Sequence, residues 1–340
     1  MKAARSLAAT AALICLHGVA ATSSLPSIKL GFNIQRSTME VYGASSFDVY
    51  VRPVLSGANV TFDGKVTFEQ DGTTHNLYVV DRVPYHEVVN STTDSTTCLP
   101  TELFPSVPEI VDAIASATAV SAVNTDQDIS CTNGTWLSTT FAGESYVLCT
   151  GTDAEDGNFT VYGEDLSISF EYLSEDVTIT KPMNAPSDCS AVSDGSVALS
   201  SLGQLYGITM SRSRRVLKEE AAAVHLASST CTCQGTPPAQ AVHKKYVTAS
   251  MCGTTYSGLL SSEYAGLLAG GLLIPHHSSK NDGIVEFQSC IGNLDSSSFQ
   301  TTYSTTWYAA ALNHADTTFH NGEGLFSSAK KPLKWFECLL

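Results

Sequence analysis

Alternation of apolar and polar positions with a period of two runs through the first half of the chain. NVTFDGKVTFEQDGTTHNLYVVD, from Asn59 to Asp81, sets β-branched and aromatic residues against polar ones, with Asp63-Gly64 and Asp71-Gly72 between the runs. Asp-Gly supplies the positive φ of tight hairpin turns, so the pattern predicts three strands in a meander. FDVYVRPVL at 47–55, TWLSTTF at 135–141, ESYVLC at 144–149 and NFTVYGEDLSISFEYL at 158–173 continue it, and together they predict an antiparallel sheet.

One segment changes to the helical period. SVPEIVDAIASATAVSAV has Ser106 and Glu109 in capping-box spacing and Pro108 in the first turn, where its missing N–H is harmless. Val107, Ile110, Val111 and Ile114 form an apolar stripe. A single helix with one apolar face among many strands packs across a curved sheet, either as plain core or as the wall of a cup for a lipid or other small apolar ligand.

The pattern then weakens. Residues 182–245 read as a connector: PMNAPSDCSAVSDGS is loop-like, and Arg212-Ser213-Arg214-Arg215 precedes VLKEEAAAVHLA. The basic run is either a turn before a helix or a processing site of the R-x-R-R type. A cut after Arg215 would separate the two halves unless a disulfide held them.

Composition adds compartment and charge. The chain has 340 residues, 43% of them apolar, enough for two domains with real cores. Lys2 and Arg5 precede an apolar run from Leu7 to Val19 and small residues at Ala20 and Ala21. This is the layout of a secretory signal peptide over residues 1–21, and the run is too short to span a bilayer. LLAGGLLI at 267–274 is the longest later apolar run, so no transmembrane segment is expected and the mature protein should be extracellular. Of ten cysteines, Cys15 leaves with the leader and nine remain. Their spacing lacks a CxxC pair of the zinc type, so disulfides are expected, with one thiol left over or paired between chains. Sequons at Asn59, Asn90, Asn133 and Asn158 agree with a secreted glycoprotein.

Charge divides the chain. Residues 29–181 hold 6 Lys and Arg against 22 Asp and Glu, whereas residues 182–340 hold 10 against 11. Neither half has the basic stripe that neutralises phosphates, which excludes nucleic acid as a partner. The acidic half favours cationic partners over anionic membranes.

The last hundred residues carry candidate chemistry. NDGIV at 281–285, Cys290, LNHAD at 312–316 and the closing NGEGLFSSAKKPLKWFECLL give the segment from Tyr246 to Leu340 a resemblance to secreted lipase-like α/β-hydrolases of oomycetes and, more distantly, to secreted bacterial triacylglycerol lipases. The resemblance implies Asp282 as the triad acid, holding an imidazole by its Nδ1–H, and His314 as the base that takes a hydroxyl proton. Gly283 would permit the tight turn after the acid. Asp316 matches a calcium ligand of the bacterial lipases, although the sequence offers no second carboxylate ligand, so the cofactor expectation is none or calcium. Cys290 matches a disulfide position of those lipases, with Cys252 as the partner that would brace the Asp282 segment; Cys338 could equally claim one of the two.

The nucleophile is missing. An elbow needs small residues two before and two after the serine, and no G-x-S-x-G occurs in the chain. Gly143-Glu144-Ser145-Tyr146-Val147 lies in a predicted strand, and Thr248-Ala249-Ser250-Met251-Cys252, after the strand-like KKYV, lacks both glycines. Ser250 is therefore the weak remaining candidate. His276-His277 reads as a solvated loop, Trp307, Tyr308, Trp335 and Phe336 as core or interface aromatics, and KPLKWFECLL as a terminal amphipathic segment.

The expected architecture is α+β: an acidic antiparallel β-rich domain with one packed helix at 27–181, the connector, and a partial α/β-hydrolase-like region at 246–340. Three functions compete. One is a secreted binding glycoprotein with a non-catalytic lipase-like remnant, whose partner is an extracellular protein, lipid or small apolar ligand. The second is a carboxylic-ester hydrolase using Ser250 with Asp282 and His314, and the third is a precursor cut at Arg215.

Overall fold

The structure is a computed structural model that describes residues 25–125, 127, 129–132, 134–151, 158–199, 201–202, 224–226, 247–261, 264–274, 276, 278–291 and 294–340. The leader at 1–21, Asn133, the Arg212–Arg215 motif, Cys231, Cys233 and His277 lie outside the described residues.

The alternating segments build one large antiparallel sheet. β1 (Ile28–Ile34) lies at its middle, flanked by β2 (Ser46–Ser56) and by the late strand β12 (Leu166–Tyr172). On one side follow β3 (Asn59–Gln70), β4 (Thr73–Val80), β5 (Val83–Val89) and β6 (Asp94–Cys98); on the other follow β11 (Phe159–Tyr162), β10 (Glu144–Gly151), β9 (Gly134–Phe141) and β7 (Thr118–Ala119). The short strand β8 (Val123–Thr125) lies apart and pairs in parallel with β14 (Val224–Leu226). The side-chain period of two sends Phe32, Ile34, Leu137, Tyr146, Leu148, Phe159, Val161, Leu166 and Ile168 to one buried face, which is the burial that fixes the register.

The hairpin expected at Asp63-Gly64 does not form. Asp71-Gly72 does turn, at φ of 50° and 75°, but Asp63 and Gly64 lie inside the continuous strand β3. There β3 changes neighbour: Asn59–Thr61 pair with the added strand β13 (Ser196–Ala198), whereas Gly64–Gln70 pair with β4. Asp63 is buried at the change, accepting from Arg52 Nη2 at 2.5 Å and from Asp81 N at 3.0 Å. Its carboxylate satisfies a backbone donor that the broken ladder leaves over, which a turn aspartate in solvent would not do.

The expected helix is shorter than its apolar pattern. α1 runs Val107–Ala115, with Ser106 as N-cap accepting from Glu109 N, and Thr118–Ala119 already belongs to the sheet. Val111 and Ile114 pack with Ile28, Val60, Val197 and Leu202, the arrangement of a packed core. Beyond Lys181 the chain continues on the sheet. Ile179 packs with Tyr78, Val80 and Tyr85, with Ala185 and Cys189 against the same cluster. Val192 N donates to Arg82 O, and Cys98–Cys189 ties this strap to the end of β6.

The C-terminal region is built differently. β15 (Ser250–Gly253) and β16 (Trp307–Ala310) are parallel, and β16 is buried at every position. Trp307 and Ala309 face Phe287, Ile291 and Phe299, while Tyr308 and Ala310 face Leu259, Leu312 and Trp335. Burial on both faces is the mark of a parallel strand with layers above and below. Helices Phe287–Ile291 and Pro332–Glu337 pack against the pair through Phe287, Ile291 and Trp335, and a further helix spans Tyr264–Leu273. Among the described residues this region shows two parallel strands, not the full sheet of an α/β-hydrolase. No helix of the described residues is long and apolar enough to cross a membrane.

The two regions share an interior. Leu325 and Phe326 pack into the core of the sheet, with Phe326 edge-on to Phe32. The terminal segment is also not the amphipathic surface its Lys and apolar residues suggest. Lys331 and Lys334 are 1% and 3% exposed, and both ammonium groups donate to Asp165 Oδ2 at 3.0 Å. Lys334 also reaches Glu164 Oε2 at 2.9 Å. Glu323, likewise buried, accepts from Arg36 Nε, from Thr38 Oγ1 at 2.8 Å and from Lys334 N at 2.7 Å. Acidic residues of the sheet supply the counter-charges that let these lysines enter the interior.

Candidate functional site

NDGIV is a self-capping loop. Asn281 Oδ1 accepts from Gly283 N at 3.0 Å, and Asp282 Oδ1 accepts from Ile284 N at 3.0 Å and Val285 N at 2.7 Å. Asn and Asp bond their own backbone in such turns. Gly283 sits at φ 95°, and a Cβ there would lie 2.8 Å from Leu267 O, so glycine is needed both for the conformation and for the close approach. One oxygen of Asp282 is thereby spent on the loop, and the other is free to point elsewhere.

That second oxygen meets His314. Asp282 Oδ2 lies 2.9 Å from His314 Nδ1, and His314 N donates to Asp282 O at 2.8 Å. Asp282 is 5% exposed, whereas the His314 side chain is 43% exposed. A carboxylate at Nδ1 favours, in a neutral imidazole, the tautomer with the proton on Nδ1 and the lone pair on Nε2. The expected acid and base are brought together, carboxylate against Nδ1.

The His314 loop is held by its neighbours. Asn313 Oδ1 accepts from Asp316 N at 2.9 Å, and Asp316 Oδ2 accepts in return from Asn313 N at 3.3 Å, a reciprocal i, i+3 pair like a capping box. Sequence reasoning assigned Asn313 no role, although the N-x-x-D spacing was there to be read.

Asp316, the calcium ligand that the resemblance implies, is held by N–H donors. It is fully buried, its oxygens also accept from Leu259 N at 2.7 Å and Asn321 Nδ2 at 3.0 Å, and its charged neighbour is Lys330. Burial raises its pKa, against those hydrogen bonds. Calcium requires six to eight oxygen acceptors, whereas three backbone and amide N–H groups occupy the Asp316 oxygens in this structure. Among the described residues no three His, Cys, Asp or Glu side chains gather as a metal site.

Ser250 is not brought to the pair. It opens β15, opposite Trp307, and its Oγ lies 3.8 Å from Cys252 Sγ. The far end of the strand is the end near Asp282: a Cβ on Gly253 would lie 2.7 Å from Asp282 Cβ and 2.6 Å from Leu312 O. Three residues of extended chain span about 10 Å, so Ser250 stands at the wrong end of the strand rather than on an elbow after it. Among the described residues no serine Oγ hydrogen-bonds His314. Ser145 lies within β10.

Cys252–Cys290 is formed, joining β15 to the helix after the Asp282 loop. Cys131–Cys149 is also formed, and Cys338 is disulfide-bonded as well. Trp307, Tyr308 and Trp335 are buried as expected of core aromatics, while Phe336 is 47% exposed. Neither the family models nor the curated proteins searched contain a match to this chain.

Proposed function

We propose that this protein is a secreted glycoprotein that works by binding, and that its lipase-like Asp282–His314 pair positions loops rather than catalysing ester hydrolysis. The observation that carries this reading is the surroundings of His314: an oriented imidazole with no serine hydroxyl in hydrogen-bond reach among the described residues, and Ser250 at the opposite end of β15. Without a nucleophile, oriented base and acid give at most residual catalysis. Disulfides support an extracellular setting, and Asn59 and Asn158 are exposed, as glycosylated residues must be. The acidic sheet favours a cationic partner.

Labelling of the purified secreted chain with a fluorophosphonate probe, alongside turnover of p-nitrophenyl acyl esters, tests the reading. The expected outcome is no adduct and no turnover above the His314→Ala variant. A covalent adduct lost in Ser250→Ala would establish the ester hydrolase instead.

For the precursor reading, the junction between the regions sets the expected outcome. A cut after Arg215 would leave Lys331 and Lys334 bound to Asp165 and Phe326 packed on Phe32, so the pieces should copurify.

A further inference from the structure

Imidazole nitrogens also converge far from His314. β4 and β5 form a hairpin about Asp81 and Arg82, and their register sets His75 opposite Val88 and His86 opposite Leu77. The two rings are thus diagonal neighbours on one face of the sheet. His75 Nδ1 lies 3.0 Å from His86 Nε2, with ring centroids 5.2 Å apart. Tyr42 comes from the tight turn closed by the Val41–Ala44 bridge, where it is held at φ 50°. Its ring stacks on His75 at 4.2 Å, and its Oη is 3.3 Å from His86 Nε2.

We propose that His75, His86 and Tyr42 form a binding site for a divalent transition-metal ion of the copper(II) or nickel(II) type, with the imidazoles as ligands and the phenol beside them. The separation of the nitrogens selects the geometry. With metal–nitrogen bonds of about 2.1 Å, nitrogens 3.0 Å apart subtend about 90° at the ion, the cis angle of tetragonal copper(II) and nickel(II), whereas a tetrahedral zinc site needs about 3.4 Å.

Electrostatics agree with the geometry. As ligands both rings must be neutral, with a lone pair on each of the facing nitrogens. Glu69 on β3 is the anionic group acting on His75, and its charge favours a cation. The Tyr42 phenol, 3.3 Å from His86 Nε2, offers an oxygen beside the two rings. A cleft of about 520 Å³ lies beside the Tyr42 turn, with Ala44, Phe47, Phe68 and Glu69 in its lining.

Without the ion, one N–H···N hydrogen bond accounts for the short contact. Binding then requires His75 to hold its proton on Nε2 and His86 to hold its proton on Nδ1, a change of tautomer with no net proton release.

The test is titration of the whole chain with Cu²⁺ at pH 7, followed calorimetrically and by electron paramagnetic resonance. The expected result is one Cu²⁺ with hyperfine structure from two imidazole nitrogens, weakened about tenfold or more by His86→Ala and unchanged by His320→Ala. His75→Gln, at the more exposed ring, gives the same loss if His86→Ala does not fold. The proposal is overturned by absence of binding, or by a spectrum that survives His75→Gln unchanged; either result leaves the rings as a hydrogen-bonded pair only.

Discussion

The antiparallel sheet and the C-terminal parallel pair solve the same problem with different means. In the sheet, most neighbours in space are neighbours in sequence, joined by tight turns such as Asp71-Gly72 and Asp81-Arg82. Its stability is local, strand against next strand. In the C-terminal region Ser250 pairs with Trp307 across an intervening helical segment, and loops are held by Asn281, Asp282, Asn313 and Asp316 bonding the backbone. Two strands cannot make an independently stable sheet. The region borrows the rest from a disulfide and from the sheet itself, through Lys331, Lys334, Glu323 and Phe326. A candidate site on such a region is only as well placed as those braces.

The comparison is broken most directly at Asp165. Asp165→Asn leaves Lys331 and Lys334 buried without their shared carboxylate, and a loss of about 3–5 kcal/mol in chemical denaturation is expected, with the C-terminal region released first. Burial raises the Asp165 pKa, but Lys331 and Lys334 outweigh it and hold the carboxyl below its usual range. A depressed folded-state pKa contributes stability above the unfolded value of about 3.9, and this contribution is lost as pH falls through the folded value. The deficit of the variant relative to the parent should therefore narrow in acid.

A smaller effect is expected from Cys252→Ala with Cys290→Ala. Loss of this bridge should cost about 2–4 kcal/mol and raise hydrogen exchange around Asp282 and His314 while β1–β5 stay protected. Equal loosening of both regions would show that they melt as one unit, and the comparison would fail. Smallest is Ser106→Ala, which removes the α1 cap and should cost about 1 kcal/mol, read as a shift in the denaturation midpoint of the sheet alone.

Much of the sheet was legible because alternation and turn chemistry act over a few residues. The strands at 47–55, 135–141 and 144–149, and the Ser106 cap, were there to be read. Asp63-Gly64 misled because Asp-Gly favours a turn only where nothing offers the aspartate a better partner, and Arg52 and Asp81 do. His75 and His86 were missed because their meeting depends on the turn at Asp81-Arg82, which places them on facing strands. The lipase resemblance led to the meeting of Asp282 with His314, but for Cys290 it left both Cys252 and Cys338 open, and packing chose Cys252.

The sequence alone determined several strands, among them 47–55, 135–141 and 144–149, where α1 begins, that the first half is acidic, and that no elbow motif is present, since these depend on local patterning and composition. Tertiary structure decided which charges are buried and which nitrogens meet. Lys331 looks like any surface lysine until Asp165, distant in sequence, is placed against it, and Ser250 looks like a candidate nucleophile until strand direction puts it at the wrong end. Charge burial and catalytic geometry depend on distances between segments far apart in the chain, and only packing sets those distances.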